Sequence, residues 1–143
     1  MKKNMLLLTV AAMLFCGLWF YEMFDKSDKK ELCQQYAAET RSLFLIHESL
    51  KGHNGSSPEP FLANYWHGIS RFYAFTETLR PLVGCENTFY QNCRSLYNRI
   101  VAYPDEGLSH MTELIAAMDR LSKDYTDSEG RKIISDLNYL LGG

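Results

Sequence analysis

Apolar residues crowd one early segment of the chain and recur at helical spacing through the rest. The early segment runs from Met5 to Phe24 and contains a single charged residue, Glu22, close to its end. A helix of about 20 residues can cross a hydrocarbon core about 30 Å thick, so the segment is predicted to be a transmembrane helix. Aromatic residues cluster at its far end, as they do at membrane–water interfaces. These expected interface residues are Trp19, Phe20, Tyr21 and Phe24.

We interpret residues 5–24 as an uncleaved signal anchor. Cleavage of a signal peptide requires small residues just before the cut, and the cut that offers them, after residue 12, follows a very short apolar stretch. A cleaved signal peptide remains the alternative to an anchor.

The orientation of the anchor is predicted from its short basic tail and from the cysteines beyond it, which suit an oxidising compartment such as the periplasm. The lysines decide little, because Lys2 and Lys3 precede the segment while Lys26, Lys29 and Lys30 follow it. A signal anchor with a short basic tail ordinarily leaves that tail in the cytoplasm. Residues 1–4 are therefore expected to be cytoplasmic and residues 25–143 periplasmic, in a single-pass protein of the bacterial inner membrane whose span contacts the lipid bilayer.

Beyond the anchor the apolar spacing is helical, and no run alternates as a strand would. The first helix is predicted from Asp28 to Lys51, without a Gly or Pro to separate it from the membrane segment. The second begins at Pro58 behind a capping Ser57, and Pro81 ends or kinks it. The inward face of the first helix is predicted to contain Leu32, Tyr36, Leu43, His47 and Leu50, flanked by Cys33 and Ile46.

Caps and prolines divide the remaining residues. The third helix follows a cap at Asn87 and should stop before Pro104. Asp105 should cap the fourth, and Thr126 with Glu129 forms a capping box for a short fifth helix. Short loops favour antiparallel neighbours. The sequence therefore predicts an all-α protein, in which a single N-terminal transmembrane helix is followed by an antiparallel four- to five-helix bundle.

Three of the four cysteines should meet at the membrane-proximal end of that bundle. Cys16 lies in the predicted span, and Cys33, Cys85 and Cys93 lie beyond it. In an oxidising compartment one pair should form a disulfide and one thiol should remain free. A bend at Gly84 would let Cys85 fold back beside the helix, which favours the pair Cys85–Cys93. Cys33 bonded to either one is the alternative, and three reduced, buried cysteines would suit a cytosolic domain.

Composition and motifs argue against catalysis. The 143 residues carry a formal charge of −2 and are 46% hydrophobic, which excludes a disordered tail and disfavours a nucleic-acid binder. No two histidines have the spacing of a metal site, and the chain lacks a nucleophile elbow, a Walker loop and a CxxC pair. We expect no enzymatic activity, no metal, no cofactor, no nucleic acid and no small-molecule substrate.

The second helix carries the clearest sign of a binding surface. Its apolar arc spans about half of the circumference, whereas contact with one neighbouring layer needs about a third. One interpretation is a helix at the centre of the core; the other is a partly exposed aromatic groove, since Tyr and Trp are favoured interface anchors. The candidate partner contacts are Tyr65, Trp66, Phe72, Phe75 and, on the first helix, Leu45.

One stretch resembles a known family. The run Phe72-Tyr73-Ala74-Phe75, followed by Cys85 and then Cys93, is similar to part of the periplasmic antiholins of T-even phages. Those are small helical proteins with an N-terminal signal-anchor segment and one short-loop disulfide, and they bind the periplasmic domain of a holin and delay lysis. Here the spacing between the cysteines is longer and a further C-terminal helical part follows.

Two functions follow from these observations. The first is a membrane-anchored, non-enzymatic protein that binds another envelope or periplasmic protein, as an accessory subunit of a bacterial envelope, secretion or transfer complex. The alternative is a bacterial or phage inhibitor, such as an antiholin-like, exclusion or immunity protein, that sequesters a partner domain.

Overall fold

A computed structural model describes the backbone of residues 2–51 and 58–142 and the side chains of residues 12–51 and 62–142. The described chain is all-helical, with 92% helix and no strand, as predicted. Its six helices are α1 (Lys2–Lys51), α2 (Pro58–Val83), α3 (Thr88–Ala102), α4 (Pro104–Ser109), α5 (Met111–Lys123) and α6 (Ser128–Gly142). The predicted loop after Lys51 and the capping Ser57 lie outside the described residues.

The longest element, α1, is a single helix of 50 residues. At a rise of 1.5 Å per residue it extends for about 75 Å, far more than the bundle that packs on its C-terminal half. The predicted membrane segment therefore continues into the bundle without a break. Among the side chains of α1 that the structure describes, from residue 12 onward, the first fully buried one is Cys33, and this described part of the helix before it protrudes from the bundle.

Helix α1 has two antiparallel neighbours. On one side Glu39 lies 3.1 Å from Arg71 of α2, and further along α1 the Phe44 ring stacks on Tyr65 at 6.4 Å. The residue number rises on α1 and falls on α2, so the two helices run in opposite directions.

The other neighbour of α1 is α5. Arg41 pairs with Asp119 at 2.7 Å, and about two turns earlier on α1 Gln34 donates a hydrogen bond to the carbonyl of Lys123. These two contacts define a second antiparallel pair and place the start of the packed bundle beside the turn that joins α5 to α6.

The five longer helices close into a ring in the order α1, α2, α3, α6, α5. A ring of five cannot alternate in direction throughout, so one neighbouring pair must be parallel. That pair is α3 and α6, because the Arg131 guanidinium lies over Phe89 at 4.6 Å while Asn138 donates to Asn92 further along both helices. The antiparallel prediction holds for the other four pairs.

The inward face of α1 differs from the predicted one. Its fully buried residues are Cys33, Ala37, Thr40, Phe44 and His47. Of the predicted stripe only His47 is fully buried, while Leu32 is 39% exposed. The helix lies between α2 and α5. The face that becomes buried is therefore the one directed between these two neighbours, and it does not coincide with the face that carries the most leucines.

Glycine, and not proline, ends α2. Pro81 lies within the last turn of the helix, which continues to Val83. Gly84 then adopts a φ of 89° and its N–H donates to the carbonyl of Arg80 at 2.9 Å, an αL termination that glycine accepts without a Cβ penalty. Asn87 caps α3 as predicted, since its side-chain oxygen accepts from the N–H of Phe89 at 2.9 Å.

The predicted fourth helix is divided in two. Pro104 occupies the first turn of α4, so Asp105 lies inside that helix and Tyr103 is the residue before it. The helical structure is interrupted at His110, and α5 begins at Met111. Gly107 lets α4 pack closely against α2, because a Cβ there would lie 2.4 Å from the Tyr65 hydroxyl oxygen.

The cap of α6 also differs from the predicted capping box. The Asp127 carboxylate accepts the N–H of Gly130 at 2.7 Å, which makes Asp127 the capping residue. The Thr126 hydroxyl and the Thr126 N–H instead donate to the Asp124 carboxylate, and these two hydrogen bonds lower the pKa of the Asp124 carboxyl. The capping site is one residue later than the sequence motif indicates.

Candidate partner-binding surface and cysteine cluster

Three of the five predicted partner contacts belong to the core. The side chains of Tyr65, Phe72 and Phe75 are fully buried. Helix α2 lies between α1 and α3, and its wide apolar arc fills the space between them. The central-helix interpretation therefore accounts for these three residues, which can contact a partner only if the bundle opens.

The other two predicted contacts are exposed but lie on different sides. Trp66 is 41% exposed and Leu45 is 39% exposed. Leu45 follows Arg41 by one helical turn, on the edge of α1 that faces α5. Trp66 precedes Tyr73 by two helical turns, on the edge of α2 that faces α3. The two residues do not form one site.

An exposed apolar strip instead runs along the junction of α2 and α3. We call it the α2–α3 surface, and its residues are Leu62, Trp66, Tyr73, Tyr97 and Val101. On α2 the first three share one edge by helical spacing, and the rings of Tyr73 and Tyr97 meet across the junction at 4.9 Å. Leu62, Tyr73 and Val101 are between 40% and 46% exposed.

A buried ring supports the centre of this surface. The Trp66 indole meets the Tyr65 ring edge-on, with their centroids 5.2 Å apart. Tyr65 is itself held by a hydrogen bond of 3.3 Å from its hydroxyl to the carbonyl of Pro104. Trp66 is thus a partly exposed aromatic residue on a rigid base, the kind of side chain that anchors protein interfaces at low entropic cost. The sequence pattern could not separate it from the core, because Trp66 precedes the buried Ile69 by three residues, which is the spacing of core residues.

The four predicted interface aromatics all lie on the protruding part of α1. Trp19, Phe20, Tyr21 and Phe24 are between 52% and 73% exposed. Over residues 12–51 and 62–142, no helix contains a stretch that is long and apolar enough to cross a membrane. Side chains 5–11 of the predicted span lie outside the described residues.

The three cysteines beyond residue 24 lie at the same end of the bundle, but in two environments. Cys85 is exposed in the turn before α3, with its sulfur 3.9 Å from a Glu86 carboxylate oxygen. Cys33 and Cys93 are fully buried. All four cysteines are free thiols, and the predicted pair Cys85–Cys93 is not brought together, since the turn at Gly84 leaves Cys85 in solvent.

Both buried thiols resist ionisation. Burial raises the pKa of the Cys33 thiol to about 11, and a hydrogen bond with Thr78 and the charge of Arg131 oppose that rise. Burial also raises the pKa of Cys93 well above its ordinary value, and the negative charge of an ionised Cys33 raises it further. The positive charge of Arg131, on α6, lowers the pKa of both thiols and so opposes the effect of burial.

The described residues hold no constellation for metal binding. No group of three or more His, Cys, Asp or Glu side chains within them could hold an ion. His47 is buried beside the Tyr65 ring at 5.7 Å, His67 is exposed, and His110 lies 3.6 Å from Glu113. His53 lies outside the described residues.

Comparison of the chain with protein families, with curated proteins and with solved structures finds no match.

Proposed function

We propose that this protein is a membrane-anchored, non-enzymatic helical bundle that binds another envelope protein, as an accessory subunit of a bacterial envelope, secretion or transfer complex. Residues 5–24 anchor it in the inner membrane, residues 1–4 remain in the cytoplasm, and residues 25–143 are periplasmic.

One observation carries the membrane anchor. Every large apolar side chain from Met13 to Phe24 is more than half exposed, on a helix that continues directly into a packed core. Isolated exposed apolar residues are ordinary, but a protruding helix covered with them needs an apolar environment. A lipid bilayer supplies that environment, and the aromatic cluster at the end of the segment suits the membrane interface.

The α2–α3 surface supports the binding of a partner protein. Its aromatic residues are preorganised, because Trp66 rests on Tyr65 and Tyr73 rests on Tyr97. Tyr and Trp are enriched among residues that dominate binding energy. A continuous helix between membrane and bundle would hold this surface at a defined height above the bilayer.

Charge substitution tests the anchor. A lysine at the centre of a membrane helix costs about 2.5–3.5 kcal/mol on insertion scales, so Leu14→Lys with Leu18→Lys should release the full chain from the membrane fraction. Leu32→Lys, on the same helix but within the bundle, is the matched control and should leave the chain in the membrane. Retention of the double variant after alkaline carbonate washing would refute the anchor, and a C-terminal alkaline phosphatase fusion that lacks activity would refute the orientation.

Purification from membranes in mild detergent tests partner binding. We expect one envelope protein to copurify in a fixed ratio with the wild-type chain, and Trp66→Ala to reduce its recovery at least about tenfold, as for an interface hot spot worth about 1.4 kcal/mol or more. Tyr139→Ala removes an aromatic side chain that is 82% exposed on α6, and this control should leave recovery unchanged. No copurifying protein, or equal recovery with both variants, would refute the proposal.

The inhibitor function remains the alternative on the basis of sequence resemblance. The aromatic residues of that resemblance are largely core residues, and its two cysteines are separated between core and solvent. A monomeric chain whose expression delays lysis or neutralises a toxin, with no stable assembly, would favour the inhibitor over the subunit.

A further inference from the structure

We propose that the α2–α3 surface binds a proline-rich segment of the partner protein, held in the extended polyproline II conformation. The binding of a partner at this surface is the proposed function, on which this inference rests. What it adds is the chemistry and the conformation of the segment that is bound.

The exposed rings of this surface are of the kind that packs against proline. Trp66 and Tyr73 are 41% and 46% exposed, and each contacts a second ring, Tyr65 at 5.2 Å and Tyr97 at 4.9 Å. Surfaces lined by such fixed aromatic residues are where proline-rich segments dock in proteins. The bound segment is already extended before it binds, so it loses little conformational entropy.

The spacing of the two exposed rings matches the repeat of polyproline II. Tyr73 follows Trp66 by seven residues, which places both on one edge of α2 and about 10.5 Å apart along its axis. Polyproline II rises about 3.1 Å per residue and has three residues per turn, so prolines three positions apart share a face at a distance of about 9.3 Å. A segment lying along α2 would bring one proline to Trp66 and the next to Tyr73.

A smaller side chain, Val101, lies between the levels of the two rings. It follows Tyr97 by four residues, about 6 Å along α3, and α3 runs antiparallel to α2. Since the Tyr97 ring meets that of Tyr73, Val101 lies beyond Tyr73 in the direction of Trp66. It is 40% exposed, so the residues between the two prolines can cross it.

The polar atoms of the rings complement a proline-rich backbone. The indole N–H of Trp66 and the hydroxyls of Tyr73 and Tyr97 form no hydrogen bond with the described residues. Polyproline II has no internal hydrogen bonds, and proline offers a carbonyl acceptor without an N–H. The three donors can therefore pair with free carbonyls of the bound segment. A partner helix would leave them unused, because carbonyls inside a helix are already paired.

Binding of synthetic peptides to the full chain in mild detergent tests the inference. Trp19→Phe leaves Trp66 as the one indole of the chain, so its emission reports binding. We expect a saturable shift with a capped decamer that has proline at every third position and alanine elsewhere. A Gly/Ser decamer, and an alanine decamer with proline at every second position, should bind at least about tenfold more weakly, because neither presents prolines three positions apart. Equal affinities, or no shift with any peptide, would overturn the proposal.

Substitutions at Tyr73 separate the ring from its hydroxyl. Tyr73→Ala should weaken binding of the first decamer at least about tenfold, and Tyr73→Phe about two- to tenfold, as for the loss of one hydrogen bond. Tyr73→Phe keeps the ring that packs on Tyr97, and circular dichroism checks the fold of both variants. The matched control is Tyr139→Phe, on the exposed ring of α6, which should bind as the wild-type chain does. Wild-type affinity in either Tyr73 variant would overturn the proposal.

Photocrosslinking in cells separates this inference from the proposed function. A benzophenone side chain replaces Ser70, which is exposed and lies between Trp66 and Tyr73 along α2. We expect it to capture, from the envelope protein that copurifies, a segment with two prolines three positions apart. Capture of a proline-free segment of that protein would overturn the inference and leave the proposed function intact. Binding of the decamer without any copurifying protein would refute the subunit function and leave the chemistry of the surface intact.

Discussion

Replacing Gly68 with alanine should destabilise the bundle, although the same change in an open helix is stabilising. A Cβ at this position would lie 2.4 Å from Cε1 and 2.5 Å from Cδ1 of Phe44. Phe44 is fully buried and stacks on Tyr65, so its ring cannot move aside without displacing a second ring. The close approach of α1 and α2 thus depends on the absence of a side chain at residue 68.

Two opposing terms set the magnitude. Alanine is favoured over glycine inside a helix by about 1 kcal/mol. Overpacking a filled core costs about 1–3 kcal/mol, and a contact with a confined aromatic ring belongs at the upper end of that range. The net loss in the free energy of unfolding should be about 1–2 kcal/mol. Gly17→Ala is the matched control, because a Cβ there meets nothing within 4 Å.

Denaturant unfolding of the full chain in detergent, followed by circular dichroism, measures these effects. Phe44→Ala alone should cost about 3–5 kcal/mol. In that background Gly68→Ala should be neutral or stabilising, because the ring it clashes with is gone, which gives a coupling free energy of about 1–3 kcal/mol. A Gly68→Ala variant as stable as the Gly17→Ala control, or effects that simply add, would refute the close-packing argument.

Three further predictions concern single positions. Burial raises the pKa of Tyr65 from 10.0 to about 12, so the unfolded chain releases this proton at a lower pH than the folded chain does. The free energy of unfolding should therefore fall as pH rises from about 10 to 12. Thermal unfolding across that range should show a smaller fall in melting temperature for Tyr65→Phe than for the wild-type chain. Asp127→Ala should cost about 1 kcal/mol in denaturant unfolding by removing the cap of α6, and a larger loss in Thr126→Ala would contradict the capping geometry. Gly84→Ala should lower the free energy of unfolding by about 1–2 kcal/mol because of the positive φ at this residue. Gly142→Ala is the control and should cost little, since a Cβ there meets nothing within 4 Å. Equal melting temperatures of the two variants would argue against the αL turn.

The helical class, most helix boundaries and the continuity of α1 could be predicted from the sequence because they depend on local chemistry. Helical spacing of apolar residues, the cap at Asn87 and the stop before Pro104 each act within a few residues of chain. Competition between neighbouring polar side chains explains the error at the start of α6. Asp127 caps α6 in place of Thr126 because its carboxylate reaches the N–H of Gly130.

The neighbours of each helix were decided only by the tertiary structure. The spacing of apolar residues marks a face of a helix but does not say how many helices will cover it, so Tyr65 and Trp66 had equal standing as partner contacts until α2 was placed between α1 and α3. Proximity in sequence pairs Cys93 with Cys85, whereas packing buries Cys93 in the core and leaves Cys85 in solvent. Burial and proximity across a closed ring of five helices depend on all of its members together, and no local pattern contains that information.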